Sequence, residues 1–286
     1  MKLTRFLGLA LIAAGIGGGL TACSDKDDTP DNSIVIKDEN GNISLTIKNP
    51  EKWAAIAKKA AAELREDAAE QLSDWITEES IKLKTQAPSR SISEIIDECA
   101  EEANEIATEN IPSPLAIFTT GDDCLANIAS IRNVLLGSLD GSVNESSIMA
   151  VTALENSALA QKLSSQLSDA TMKIQAIPKP LRQNAGSTEA KAASAACLTL
   201  ERTLRNELKP LFRTMTGKEA EQRAIVTQYA DEVVTPSVTA AQTAADELLV
   251  TVNALHTSPT EAQIKAAIAA YVKARGALDL CAAFID

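Results

Sequence analysis

Trp53-Ala54-Ala55-Ile56, running on through Ala60, Leu64 and Ala68 to Leu72-Ser73-Asp74-Trp75-Ile76, is the stretch whose reading decides the fold. Apolar residues recur in it every three or four positions for about six turns, a spacing that lines one face of an α-helix and no face of a strand. Just ahead stand Asn49, whose side chain can cap a free backbone N–H, and Pro50, which suits a first helical position because it has no N–H to satisfy. The pattern places Trp53, Ile56, Ala60, Leu64, Ala68, Leu72, Trp75 and Ile76 on one interior stripe.

Working outward, the same period predicts helices over 92–109, 122–137, 145–177, 187–214, 218–257 and 260–285, the third broken near Asn156. Pro112, Pro114, Pro178 and Pro180 punctuate the breaks, and Pro236 should kink or divide the long helix around it. Ser258, before Pro259, is the better candidate to cap the last helix. Aromatics make up only 3% of the chain, and Ala, Leu, Ile, Glu, Lys and Gln dominate, a composition of helix formers. Short loops make neighbouring helices antiparallel. The expected fold is all-α, antiparallel helical bundles in one or two lobes over residues 50–286. The exception is Ile34-Val35-Ile36 and Ile43-Ser44-Leu45-Thr46-Ile47 around Asn40-Gly41, the signature of a short N-terminal β-hairpin.

The N-terminus carries a different message. Lys2 and Arg5 precede an apolar run from Phe6 to Leu20 that is loosened by Gly15, Gly17, Gly18 and Gly19, a cleavable export signal rather than a spanning helix. Leu20-Thr21-Ala22-Cys23 is a lipobox, so residues 1–22 read as a lipoprotein signal peptide and Cys23 as the lipidated residue. Several acyl chains on one residue anchor stably, at about 0.8 kcal/mol per buried methylene. Ser24-Asp25-Lys26-Asp27-Asp28 opens a polar tether, 23–49 including the hairpin. Without Asp immediately after the cysteine, the outer membrane is the expected address, and surface display is compatible with it.

The formal charge of −12 becomes more negative once Lys2 and Arg5 are removed, which argues against nucleic acid as a partner. Cys99, Cys124, Cys197 and Cys281 permit disulfides in an exported chain, but they form no C-x-x-C pair and have no zinc spacing; the plainer reading is small apolar residues buried on helices. No G-x-S-x-G, P-loop or dinucleotide glycine pattern occurs. Glu94, Glu98, Glu101 and Glu105 share a helix face; that spacing could offer oxygens to a hard cation, and it reads more simply as a solvated acidic face.

Two regions resemble the imelysin family of exported helical proteins described as insulin-cleaving peptidases. In 53–212 the resemblance lies in Trp53 through Leu64-Arg65-Glu66-Asp67 to Trp75 and in Ala103-Asn104-Glu105-Ile106. It continues in Asn127-Ile128, Ser130-Ile131, Asn133 and Gly137, and in Ala176-Ile177-Pro178 with Pro180. In 226–284 it lies in Val226-Thr227-Gln228-Tyr229, Val233-Val234-Thr235-Pro236, and Tyr271 with Ala274-Arg275 to Phe284. In the family the second pair of helices comes first, so the chain reads as a circular permutant. The resemblance implies a cleft that includes Glu105, Asn127, Asn133 and Arg275, and a role near iron or metal uptake.

The departures bear on function. The family's G-x-H-x-x-E, a histidine and a glutamate able to hold a metal or position a water, belongs just before residue 50, where the tether and hairpin stand instead. The single histidine, His256, sits at a helix end and reads as solvated. Asp279 replaces a usual Glu, and Ala282 stands where a second would be. The sequence therefore favours a non-catalytic binding lipoprotein: no catalytic residue, no required cofactor, metal allowed but not specified, and as partners the membrane through Cys23 and an unidentified ligand or outer-membrane protein. An imelysin-type metallopeptidase or hydrolase and a structural or adhesive surface component are the alternatives.

Overall fold

The computed structural model describes residues 34–37, 43–47, 49–113 and 120–284. The signal peptide, Cys23, the tether up to residue 33 and the Asn40-Gly41 turn lie outside the described residues. Strands β1 (Ile34–Lys37) and β2 (Ile43–Ile47) pair antiparallel, Ile34 opposite Ile47. Every other described element is helical: α1 (Pro50–Asp74), α2 (Ser80–Thr85), α3 (Pro88–Glu105), α4 (Gly121–Leu136), α5 (Ile148–Glu155), α6 (Ser157–Gln175), α7 (Leu181–Asn184), α8 (Thr188–Thr203), α9 (Lys209–Thr214), α10 (Glu219–Gln228), α11 (Thr235–Asn253) and α12 (Glu261–Asp279). No described helix is long and apolar enough to cross a membrane.

The chain divides into two compact units, residues 1–70 with 241–275 and residues 71–240 with 276–286. The first has an alanine-rich interior: Ala54, Ala57, Ala60, Ala61 and Ala68 of α1, Ala241, Ala244 and Ala245 of α11, and Ala267 and Ala274 of α12 are buried with Trp53, Leu64, Leu248, Ile264 and Tyr271. Lys58 Nζ donates to Leu255 O at 3.0 Å, and Arg65 pairs with Asp246 at 3.0 Å. In the second unit α3 is flanked by α4, α8, α9 and α10. Its apolar stripe, Ile92, Ile95, Ile96, Cys99, Ala103, is almost wholly enclosed, and the helices that flank it bury Ile131, Leu200 and Phe212. Trp75, Tyr229 and Phe284 form two edge-to-face contacts at 6.5 and 6.4 Å, and Trp75 Nε1 donates to Thr235 Oγ1 at 2.8 Å.

Caps explain several boundaries. Asn49 Oδ1 accepts from Lys52 N at 2.9 Å, as its position predicts. Asn156 Oδ1 accepts from Leu159 N at 3.1 Å, and this cap is what breaks the predicted 145–177 helix into α5 and α6. Thr120 and Asp123 form a reciprocal capping box at the start of α4.

The helical period fails in four places. Trp75–Glu79, Ile106–Asn110, Leu204–Leu208 and Tyr229–Val234 are π-helical, with each hydrogen bond one residue longer than in an α-helix. Three of the four end two residues before Pro112, Pro210 or Pro236. Proline has no N–H to donate and its ring crowds the carbonyl four residues back, and the wider turn relieves both. The predicted 218–257 helix is thereby divided into α10, a π segment and α11. The stripe on α1 needs correction for the same reason. Trp53, Ala60, Leu64, Ala68 and Trp75 are buried, but Ile56 and Leu72 are half-buried at the edge of the stripe, and Ile76 is 52% exposed because the π turn that starts at Trp75 changes the rotation per residue. Ser258 is also corrected. The cap of α12 is Thr260, whose Oγ1 accepts from Gln263 N at 3.3 Å while Gln263 Oε1 accepts from Thr260 N at 3.0 Å. Ser258 instead donates to Glu51 Oε1 at 3.0 Å.

Candidate functional site

The polar residues worth following are those the second unit encloses. On α3, Glu102 stands three residues after Cys99 and four before Ile106, inside the apolar register, and is only 6% exposed. Helix α4 brings Cys124 and Asn127 to it, α8 brings Cys197, and Asp279 lies at the end of α12. Asn127 hydrogen-bonds the Glu102 carboxyl. Burial, then the charge of Glu105 one turn on, pushes that carboxyl up to about 8, and the bond from Asn127 works the other way. Glu102 Oε1 and Asn127 Oδ1 are both enclosed, and neither accepts a hydrogen bond.

The thiols beside this pair are poor nucleophiles. All four described cysteines are free and buried. Burial first, then Glu102 and Asp169, pushes Cys197 up to about 12, and burial with the charges of Asp123, Cys197, Asp279 and Glu102 raises Cys124 too. A thiol so placed stays protonated and inert.

The residues named from sequence divide among several roles. Glu105 and Asn127 are brought to Glu102. Asn133 is buried on α4, six residues or about 9 Å along the axis from Asn127. Its carbonyl accepts from Gly137 N at 2.8 Å and Ser138 N at 3.2 Å, closing the helix. Arg275 belongs to the other unit, where Nη1 donates to Tyr271 Oη at 3.3 Å. On the outer face of α3, Glu101 pairs with Arg205 at 2.8 Å, Asp97 with Lys209 and Glu94 with Arg90 at 2.8 Å, so the acidic helix is an ion-paired surface. Among the described residues no group of three or more His, Cys, Asp or Glu is placed to hold a metal ion. His256 is exposed in the turn between α11 and α12. Sequence reasoning missed Glu102, although the three- and four-residue spacing of Ile95, Cys99, Glu102 and Ile106 carried the signal.

A surface groove of about 640 Å³ opens beside α10, lined by Asn144, Ser146, Arg223, Thr227, Gln228 and Glu232. Its cation is engaged: Arg223 Nη1 donates to Lys84 O at 2.7 Å.

Two compact, almost wholly helical units, the second enclosing a carboxyl–amide pair, define a helical-bundle domain. The chain belongs to the imelysin family, whose profile (described as Imelysin) matches residues 26–206. That span takes in most of the first resembling region and stops short of 226–284. A crystal structure of an imelysin peptidase from Bacteroides ovatus is similar to this chain, with a TM-score of 0.78 and 30% identity over 83% of this chain and 77% of that one. Comparison with curated proteins gave no match.

The histidine–glutamate metal chemistry that the family's motif implies does not fit the residues present. The one histidine is exposed in a turn, and no His-x-x-Glu occurs in the sequence.

Proposed function

We propose that the protein is an outer-membrane lipoprotein, held by acylated Cys23, whose imelysin domain binds a ligand and catalyses nothing. The placement of His256 carries this reading: the one residue type able to serve the family's hydrolytic motif lies exposed in a turn. The groups enclosed around Glu102 support it as well: its own protonatable carboxyl, the Asn127 amide and the inert thiols of Cys124 and Cys197 include no activated nucleophile. A role near metal or iron acquisition would then run through a bound ligand or an outer-membrane partner rather than through the missing motif. The second reading, a peptidase, is favoured by the likeness to the Bacteroides ovatus imelysin peptidase.

Peptidase assays of the full protein in detergent, with and without added zinc, separate the two. The binding reading expects no cleavage of peptide or protein substrates, and no change on His256→Ala. Chelator-sensitive proteolysis abolished by His256→Ala would overturn it.

A further inference from the structure

The two open acceptors on facing helices pose a problem in hydrogen-bond accounting. An ionised carboxylate only accepts, and a carboxamide has one acceptor and one NH₂ group to give. Asn127 spends its amide on Glu102, yet Glu102 Oε1 and Asn127 Oδ1 remain without a donor in an enclosed setting. The groups around them do not favour a negative charge. Glu105 lies on the same helix and its charge acts directly on Glu102. From α4 comes Cys124 and from α8 Cys197, each of which responds to Glu102, and Asp279 at the end of α12 acts on Cys124 in turn. Arg205 and Lys209, the cations beside α3, are engaged with Glu101 and Asp97 on its outer face. A carboxylate at this position would be a buried charge without a cation, beside a second carboxylate and a second open acceptor.

One proton resolves every term. Placed on Oε1, it cancels the charge and turns that oxygen into a donor, for which Asn127 Oδ1 is the open acceptor. The amide donates back to the same carboxyl, so acid and amide satisfy each other. We propose that Glu102 and Asn127 form a proton-sharing acid–amide pair that latches α3 to α4 when neutral and is broken by ionisation, making the second unit pH-sensitive. The pair holds whether the domain binds or cleaves, so the inference does not rest on the functional reading above.

The carboxyl's upward displacement agrees with this and sets the window. Its ordinary value is 4.5 and its folded value about 8, so the folded chain keeps a proton that the unfolded chain releases. In the folded chain the latch stays protonated up to about pH 8; the stabilisation it contributes is fully present below 4.5 and is lost as pH rises from there to about 8, above which the profile is level.

The test uses the full-length protein in detergent, as wild type, Glu102→Gln and Asn127→Leu. Gln keeps a donor and an acceptor in place of the acid but cannot ionise. Infrared spectra of the wild type should contain a carboxylic-acid carbonyl band at neutral pH that disappears in alkali, is absent in Glu102→Gln and is displaced in Asn127→Leu. Across the window the unfolding equilibrium constant of the wild type should rise relative to Glu102→Gln by about tenfold per pH unit, the value for one proton. Absence of the acid band at neutral pH would overturn the proposal, as would parallel stability profiles for wild type and Glu102→Gln. A band left in place by Asn127→Leu would mean a lone buried acid and would overturn the pair. If Asn127→Leu fails to fold, the wild-type band and its loss in Glu102→Gln still decide whether Glu102 holds its proton.

Discussion

Replacing Gly137 with alanine should destabilise the second unit through two separable effects. Gly137 closes α4 in the left-handed conformation, φ 68° and ψ 29°. An L-residue there costs about 1–2 kcal/mol, because its Cβ crowds the following carbonyl. The added Cβ would also stand 2.5 Å from Gln228 Oε1 and 2.9 Å from its Cδ. Gln228 is buried and its Nε2 donates to the Gly137 carbonyl, so it can yield only by giving up that bond, a further loss of about 1 kcal/mol. The sum is about 2–3 kcal/mol, which for a unit of this size lowers Tm by about 4–12 °C. Thermal unfolding followed by far-ultraviolet circular dichroism measures this. The double variant Gly137→Ala/Gln228→Ala removes the clash and keeps the backbone strain, so its loss should fall short of the summed single losses by about 1–2 kcal/mol. A Gly137→Ala protein melting within about two degrees of wild type, or strictly additive losses in the cycle, would refute the reasoning.

Cys23→Ala should release the protein from membranes or leave it unprocessed; unchanged membrane fractionation of a correctly cleaved variant would sink the lipoprotein proposal. Cys99, Cys124, Cys197 and Cys281 should be inert to a thiol reagent in the native protein and react together on denaturation, because burial raises all four thiols. Rapid native-state labelling of Cys124 or Cys197 would show that the region around Glu102 is open.

How far the fold could be read from the sequence depended on which physical rule acted locally. The 3.6-residue period found the helices, and side-chain caps fixed their ends where only one residue could serve, as at Asn49 and Asn156. At the start of α12 there were two candidates. Ser258 looked better placed, but Thr260 has Gln263 three residues on to complete a reciprocal cap, and two satisfied donors outweigh one. The π segments escaped because a period count assumes 3.6 residues per turn throughout. Their signal was the prolines: Pro112, Pro210 and Pro236 each stand two residues after the end of one, and Pro210 within the predicted 187–214 helix is as much a disturbance as Pro236 within 218–257.

The site was less legible, for a related reason. Resemblance drew attention to Glu105, whereas the side chain that the bundle encloses is Glu102, three residues earlier. A glutamate is normally assigned to the surface, and that prior outweighed a register that placed this one between Cys99 and Ile106. The segment from Asn127 to Gly137 shows what a family-like motif conveys and what it does not. Ser130 Oγ accepts from Ala283 N at 3.0 Å and ties the C-terminal turn to α4. Asn133 and Gly137 close the helix, and Gly137 leaves room for Gln228. Among the residues matched there, Asn127 meets the enclosed carboxyl. A motif made mostly of residues that hold helices together is kept by the fold whatever the domain does, so its presence establishes the family and is silent on activity. The chemistry must be read from Glu102, Asn127 and the absent histidine–glutamate pair.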